Sequence, residues 1–155
     1  MAKRTLREKL EKPKGVPLIV TIPDRMQKRF GKGKMLIPHP LDIDALIKKV
    51  KKGKLITQEE IRRKLSKKSK VEIACPITTG IFISKIIAPL AEEETKMGKK
   101  QVTPYWRVIK SGGSLNEKFP GGVKAQAAKL KKEGFAILPS QGKKPPTVKD
   151  FEKYL

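Results

Sequence analysis

Pro104-Tyr105-Trp106-Arg107-Val108-Ile109, followed by Ser111-Gly112-Gly113-Ser114-Leu115 and Phe119-Pro120-Gly121-Gly122, is the stretch of this 155-residue chain on which the fold turns. Trp106 to Ile109 is aromatic and β-branched and runs into a Ser-Gly-Gly turn signal, so it reads as a strand entering a tight turn. Gly121 to Lys132 then places Val123, Ala127 and Leu130 at helical spacing and reads as a helix. A glycine-rich hairpin of this kind has the look of a wing, which needs a helix-turn-helix beside it.

The residues upstream supply one. Asp42 opens a helical pattern in which Ile43, Leu46, Ile47 and Val50 share a face, and Gly53 ends it. Thr57-Gln58-Glu59-Glu60 is a capping box, with Ile61 and Leu65 on the apolar face behind it, so a second helix starts at Thr57. After a polar turn at Ser66 to Lys70, Pro76 fits the first turn of a third helix through Ile81, Phe82, Ile83, Ile86, Ile87 and Leu90. Its apolar residues lie on nearly all sides and predict burial. At the flanks, Pro17 to Ile22 and Met35 to Pro38 are strand candidates. Residues 1–14 form a basic arm expected to be mobile. Ala136 to Leu138 reads as a last strand, Gln141 to Pro146 as a loop, and Thr147 to Leu155 as a short capped helix anchored by Phe151 and Tyr154. The expected fold class is α+β, mostly helical, with a winged helix-turn-helix unit over 41–135, a basic extension over 1–40 and a C-terminal extension over 136–155.

Charge narrows the function. The chain carries 37 Lys and Arg against 15 Asp and Glu, a formal net charge of +22. Such an excess opposes compaction unless a polyanion relieves it, which points to nucleic acid. The excess is not confined to a tail: residues 1–40 hold 11 basic and 3 acidic groups, and residues 41–155 hold 26 and 12. Cys75 is the only cysteine and His39 the only histidine. That excludes an intrachain disulfide and a multi-cysteine zinc site, so no metal and no cofactor are expected, and a reducing cytoplasm is the expected compartment. No signal peptide is visible, and the apolar stretch Ile73 to Leu90 is interrupted by Thr78, Thr79, Ser84 and Lys85, so no membrane span is expected.

Pro104 to Ile109 resembles the Pro-Cys-His-Arg-Val-Ile signature of the DNA alkyltransferases, the methylated-DNA–protein-cysteine methyltransferases, which move an alkyl group from guanine oxygen to their own cysteine. Gly53-Lys54-Leu55-Ile56-Thr57 resembles the family's lead into its helix-turn-helix, and Gly80 the glycine within its recognition helix. The Ser111 to Leu115 turn, the Phe119 to Gly122 helix start and Lys131-Lys132-Glu133-Gly134 follow in the family's order. The resemblance covers Leu41 to Phe135 and implies the family's winged-helix fold on duplex DNA.

It also implies a loss of chemistry. Tyr105 stands at the nucleophile's place, and a phenol with an ordinary pKa of about 10 is a poorer nucleophile than a thiolate at neutral pH. Trp106 replaces the proton-relaying histidine, and an indole can donate a proton but cannot accept one. The chain is therefore expected not to be an enzyme, with no catalytic residue although Arg107 and Glu133 are retained. This pattern is similar to the alkyltransferase-like proteins, in which an aromatic residue replaces the cysteine and the protein marks a damaged base for excision repair.

The resemblance implies a base pocket formed by Tyr105, Trp106, Arg107 and Ser114. It implies DNA contacts from Thr57, Gln58, Thr78, Thr79 and Lys85, with Arg62, Arg63, Lys64, Lys67 and Lys68 on phosphates. The family's base-pushing tyrosine aligns with Gln58 and its stack-filling arginine falls near Ile77, which reads as a core residue. Cys75 falls just before the recognition helix, outside the pocket strand. The function expected is non-enzymatic binding of double-stranded DNA by a monomer, nucleoid-associated in a prokaryote, recognising O-alkylated guanine and calling excision-repair proteins. A general DNA- or RNA-binding protein without lesion preference and a divergent alkyltransferase using Cys75 or Tyr105 are the alternatives.

Overall fold

The computed structural model describes residues 4–155. The helix-turn-helix is present. Helix α4 (Gln58–Ser69) opens at Thr57, whose Oγ1 accepts from the Glu60 N–H at 3.1 Å, and closes at Lys70 in the left-handed conformation. Helix α5 (Pro76–Phe82) follows, with Pro76 in its first turn and the Cys75 sulfur accepting from the Thr78 N–H. α5 does not stop at Leu90. A π-helical turn (Ile83–Ile87) joins it to α6 (Ala88–Lys96), making one continuous helical rod. The π turn lies just before Pro89, which lacks an N–H and whose ring crowds the carbonyl four residues back, so a regular α-turn cannot pass through it.

The loop between α4 and α5 holds a two-residue strand that periodicity could not show. This β4 (Ile73–Ala74) pairs in parallel with β2 (Lys34–Ile37), Met35 opposite Ile73. β1 (Leu18–Thr21) pairs antiparallel on the far side of β2, Leu18 opposite Ile37, so both upstream strand candidates are strands of one sheet. α2 (Asp24–Phe30) connects them. α1 (Leu6–Glu11) is also ordered, where a mobile arm was expected. Leu6 and Leu10, one turn apart, pack against the main core, and Arg7 pairs with Glu94 of α6. Met1 to Lys3 of the arm lie outside the described residues.

α3 (Pro40–Lys48) buries Ile43 and Ile47 in that core, with buried Asp44 accepting from Thr103 Oγ1 at 2.7 Å. This bond ties α3 to the segment that delivers Tyr105. The predicted strand at Trp106 is shorter than expected: residues 105–107 form a 3-10 turn, and only β5 (Val108–Ile109) is extended. β5 pairs in parallel with β3 (Ile56–Thr57), the strand that leads into α4. α7 (Gly122–Lys132) follows.

The C-terminal segment differs from the expected loop and helix. β6 (Ile137–Leu138) and β7 (Thr147–Val148) form an antiparallel hairpin, and a 3-10 turn at 151–154 ends the chain. The Gly113 turn leans on this hairpin: Ser114 bridges Thr147, and the Val148 N–H donates to the Gly113 carbonyl at 3.0 Å. Thr147 is thus claimed by a strand partner instead of capping a helix. A second core of Leu55, Ile109, Leu115, Leu130, Phe135 and Val148 sits beneath it. Among the described residues, no helix is long and apolar enough to cross a membrane.

Candidate functional site

Tyr105 is delivered by the turn after Pro104, and its ring is 1% exposed. The ring meets Phe119 and Trp106 edge to face, with centroids 5.3 and 5.4 Å apart. Its hydroxyl donates to Glu92 Oε1 on α6, a carboxylate that also pairs with Lys129 at 3.3 Å. Burial, then the Glu92 hydrogen bond and charge, push the phenol well above its ordinary pKa, so it stays protonated at neutral pH. The space at residue 105 is thus filled by the side chain itself and packed into the main core.

Trp106 and Arg107 turn the other way, onto Glu133 at the end of α7. The indole N–H donates to Oε2 at 2.8 Å; Arg107 donates to Oε1 from Nε at 2.9 Å and to Oε2 from Nη2 at 2.9 Å. Adjacent residues of a strand point to opposite faces, so both could reach one carboxylate only from a helical turn, which is why 105–107 is 3-10. Arg107 Nη1 donates to the Val50 carbonyl at 2.6 Å, which locks this group to the end of the α3 region. Burial pushes the Glu133 carboxyl up, but hydrogen bonds from Arg107 and Trp106 and the charges of Arg107 and Lys52 outweigh it and hold the group below its ordinary range. Lys129 covers the indole, its ammonium 5.0 Å from the ring centroid.

Of the four residues expected around a base, Tyr105, Trp106 and Arg107 therefore adjoin one another, while Ser114 is half-buried in the bridge to Thr147. Two further residues bonded to this group, Glu92 and Gln126, lie outside the expected set. Glu92 sits in the run Glu92-Glu93-Glu94, which reads as a solvated face. Gln126 is buried and donates from Nε2 to the Trp106 and Val108 carbonyls at 3.0 and 2.9 Å, while its Oε1 accepts from the Asn116 N–H at 2.8 Å. A lone amide one residue before Ala127 on the apolar side of α7 was the available signal.

The residues expected on DNA divide by exposure. Lys64, Lys67, Lys68 and Lys85 are exposed, and Gln58 is half-buried beside Gly80 of α5. Arg63 is exposed but held by Glu60 of its own helix at 2.6 and 2.7 Å. Arg62 is half-buried; burial lowers its pKa from the ordinary value, with Arg29 adding to this and Glu59 opposing it, and it stays charged. Thr57 is consumed as the cap of α4, Thr78 bonds the Cys75 sulfur at 3.3 Å, and Thr79 is 0% exposed, so its hydroxyl faces the interior. In contrast, Ile77 and Ile81 are 55% and 49% exposed, where Ile77 was read as core. With Lys85 they form the solvent face of α5 and the π turn, spaced four residues apart. Cys75 is buried against Ile22, Met26 and Met35, in a core separate from that of Tyr105.

The sequence matches no family model and no curated protein. Among solved structures, the crystal structure of S. pombe Atl1 in complex with damaged DNA containing O6-carboxymethylguanine is similar to this chain. The TM-score is 0.53 at 19% identity, over 75% of this chain and 92% of that one. At that identity the likeness is one of fold: the described chain follows the backbone path of a protein crystallised on damaged DNA.

Proposed function

We propose that this chain is a non-enzymatic duplex-DNA-binding protein that presents α5 to a groove. The observation that carries the reading is the outward face of α5, where two isoleucines and Lys85 stand in solvent instead of core. Exposed branched apolar residues beside cationic ones suit base edges and thymine methyls flanked by phosphates, and poorly suit bulk water. Lys64, Lys67 and Lys68 on α4 supply phosphate contacts alongside. The fold supports the same reading, since its neighbour Atl1 is seen on DNA. Chemistry on the base is disfavoured by the groups present: the Tyr105 phenol is held protonated, and Cys75 lies in another core.

Recognition of an O-alkylated guanine, with excision-repair proteins called afterwards, is the finer form of this proposal and draws on the lesion present in the Atl1 crystal. Here a flipped base would have to displace Tyr105 from Phe119 and Glu92, or lodge beside Trp106. Fluorescence anisotropy on a plain duplex and on one carrying O6-alkylguanine, at matched salt, tests both levels. Ile77→Ala/Ile81→Ala is expected to weaken plain-duplex binding roughly tenfold or more. Unchanged affinity of that variant overturns the assignment of α5, and equal affinity for the two duplexes removes the lesion-specific form.

A further inference from the structure

An open cleft of about 720 Å³, lined in part by Trp106 and not by Tyr105, lies between the Val50–Lys52 turn and the segment Lys100–Pro104. That size falls within the ~300–1,000 Å³ of clefts that hold small organic ligands. Its lining is of two kinds. Val50, Val102, Pro104 and Trp106 are its apolar lining residues, and Lys51, Lys52 and Lys100, which also line it, are exposed. No carboxylate lines it. The other cations there are already engaged: Lys48 pairs with Asp44 at 3.0 Å, and Arg107 donates to Glu133 and to the Val50 carbonyl. Among the described residues, Lys51, Lys52 and Lys100 make no ion pair, so their charge is available to a ligand.

A lining that combines four apolar residues with three exposed lysines in no ion pair matches a ligand that is planar and apolar at one end and multiply anionic at the other. The geometry points to a nucleotide-binding cleft, with the phosphate against Lys51, Lys52 and Lys100 and the base against Val50, Val102, Pro104 and Trp106. None of these residues belongs to α4 or α5, so the cleft can fill whether or not a duplex is docked there. The nucleotide comes either as a free monophosphate or as the end of a nucleic-acid strand.

Trp106 is the only tryptophan in the chain and lines this cleft, so its emission responds to a ligand bound there. Guanosine 5′-monophosphate, a single-stranded oligonucleotide carrying a 5′-phosphate, and inorganic phosphate are titrated into the full chain. A saturable change with the first assigns a free nucleotide; a change with the oligonucleotide alone assigns a strand end. Lys51→Ala/Lys52→Ala/Lys100→Ala is expected to raise the apparent Kd roughly tenfold or more. Lys14→Ala/Lys28→Ala/Lys32→Ala, which removes the same charge from distant exposed positions, is expected to change it less than threefold. Ile77→Ala/Ile81→Ala should leave this binding intact while weakening duplex binding, which separates this cleft from the α5 surface. No saturable change with either nucleotide probe, an equal effect of both lysine triples, or the same response to inorganic phosphate alone overturns the proposal.

Discussion

At residue 105 stands a buried phenol, and its surroundings disfavour an ionised group. The hydroxyl donates to Glu92, and the ring is enclosed by Phe119 and Trp106. A thiol placed here would sit buried beside a carboxylate, and both features raise its pKa and suppress the thiolate. Tyr105→Cys is therefore expected to gain no alkyl group when incubated with an O6-methylguanine duplex, as read by intact mass; an added methyl mass would show that the thiol alone is what the site lacks. Glu133 has the opposite electrostatics. Its folded-state pKa is depressed, so its contribution is fully present above the ordinary carboxylate pKa of about 4.3 and is lost as pH falls through the folded value. Glu133→Gln keeps an acceptor for the indole N–H but strands the Arg107 charge, and should cost about 2–4 kcal/mol at pH 7. Urea denaturation at a series of pH values should show the gap between wild type and variant narrowing below about pH 4. A gap that stays constant down to pH 3 would locate the effect in packing instead.

Elements defined by local chemistry were the ones that could be read in advance. Thr57 and Pro76 announce helix starts because a cap and an N1 proline act within one turn, and both helices begin where those residues stand. The 3-10 turn at 105–107, β4 and the Ser114 bridge carry no such local mark, since each is fixed by a distant partner: Glu133, β2 and Thr147. The exposure of Ile77 was illegible for the same reason, because apolar residues on all sides of α5 do not say which side the core will choose. The turn after β5 shows how such long-range fits can be tested. Gly113 has φ +86°, and a Cβ there would overlap the Phe151 ring of the terminal 3-10 turn. Gly113→Ala should therefore cost about 2–3 kcal/mol, from left-handed strain and the clash together. Phe151→Ala relieves the clash and leaves the strain, so the double variant should be less destabilised than the sum of the two singles. Simple additivity would mean that the C-terminal turn does not rest on Gly113 in solution.

Across the whole molecule, the main hydrophobic cluster meets the second at Trp106, which packs against both, and the third lies at Cys75, where α5 begins, under a surface carrying +22. The first forty residues share in this: α1 packs on the main cluster, and Ile22, Met26 and Met35 cover Cys75. Composition disclosed the charge but not that these residues join the body, because four-residue strands and a two-leucine helix face bury little alone. The same charge acts with opposite sign on two equilibria. Folding gathers like charges, so screening should stabilise the native state; DNA binding releases counterions, so added salt should weaken it. Raising NaCl from 50 to 200 mM is therefore expected to raise Tm while lowering duplex affinity about a thousandfold or more, if ~6 to 10 phosphates are engaged. A Tm that falls over this range would mean that native ion pairs such as Arg107–Glu133 and Arg63–Glu60 outweigh the net repulsion. Affinity that barely moves would mean that the basic face of α4 and Lys85 of the π turn do not meet a phosphate backbone at all. Because the two readouts must diverge, a general sensitivity of the protein to salt cannot imitate the result.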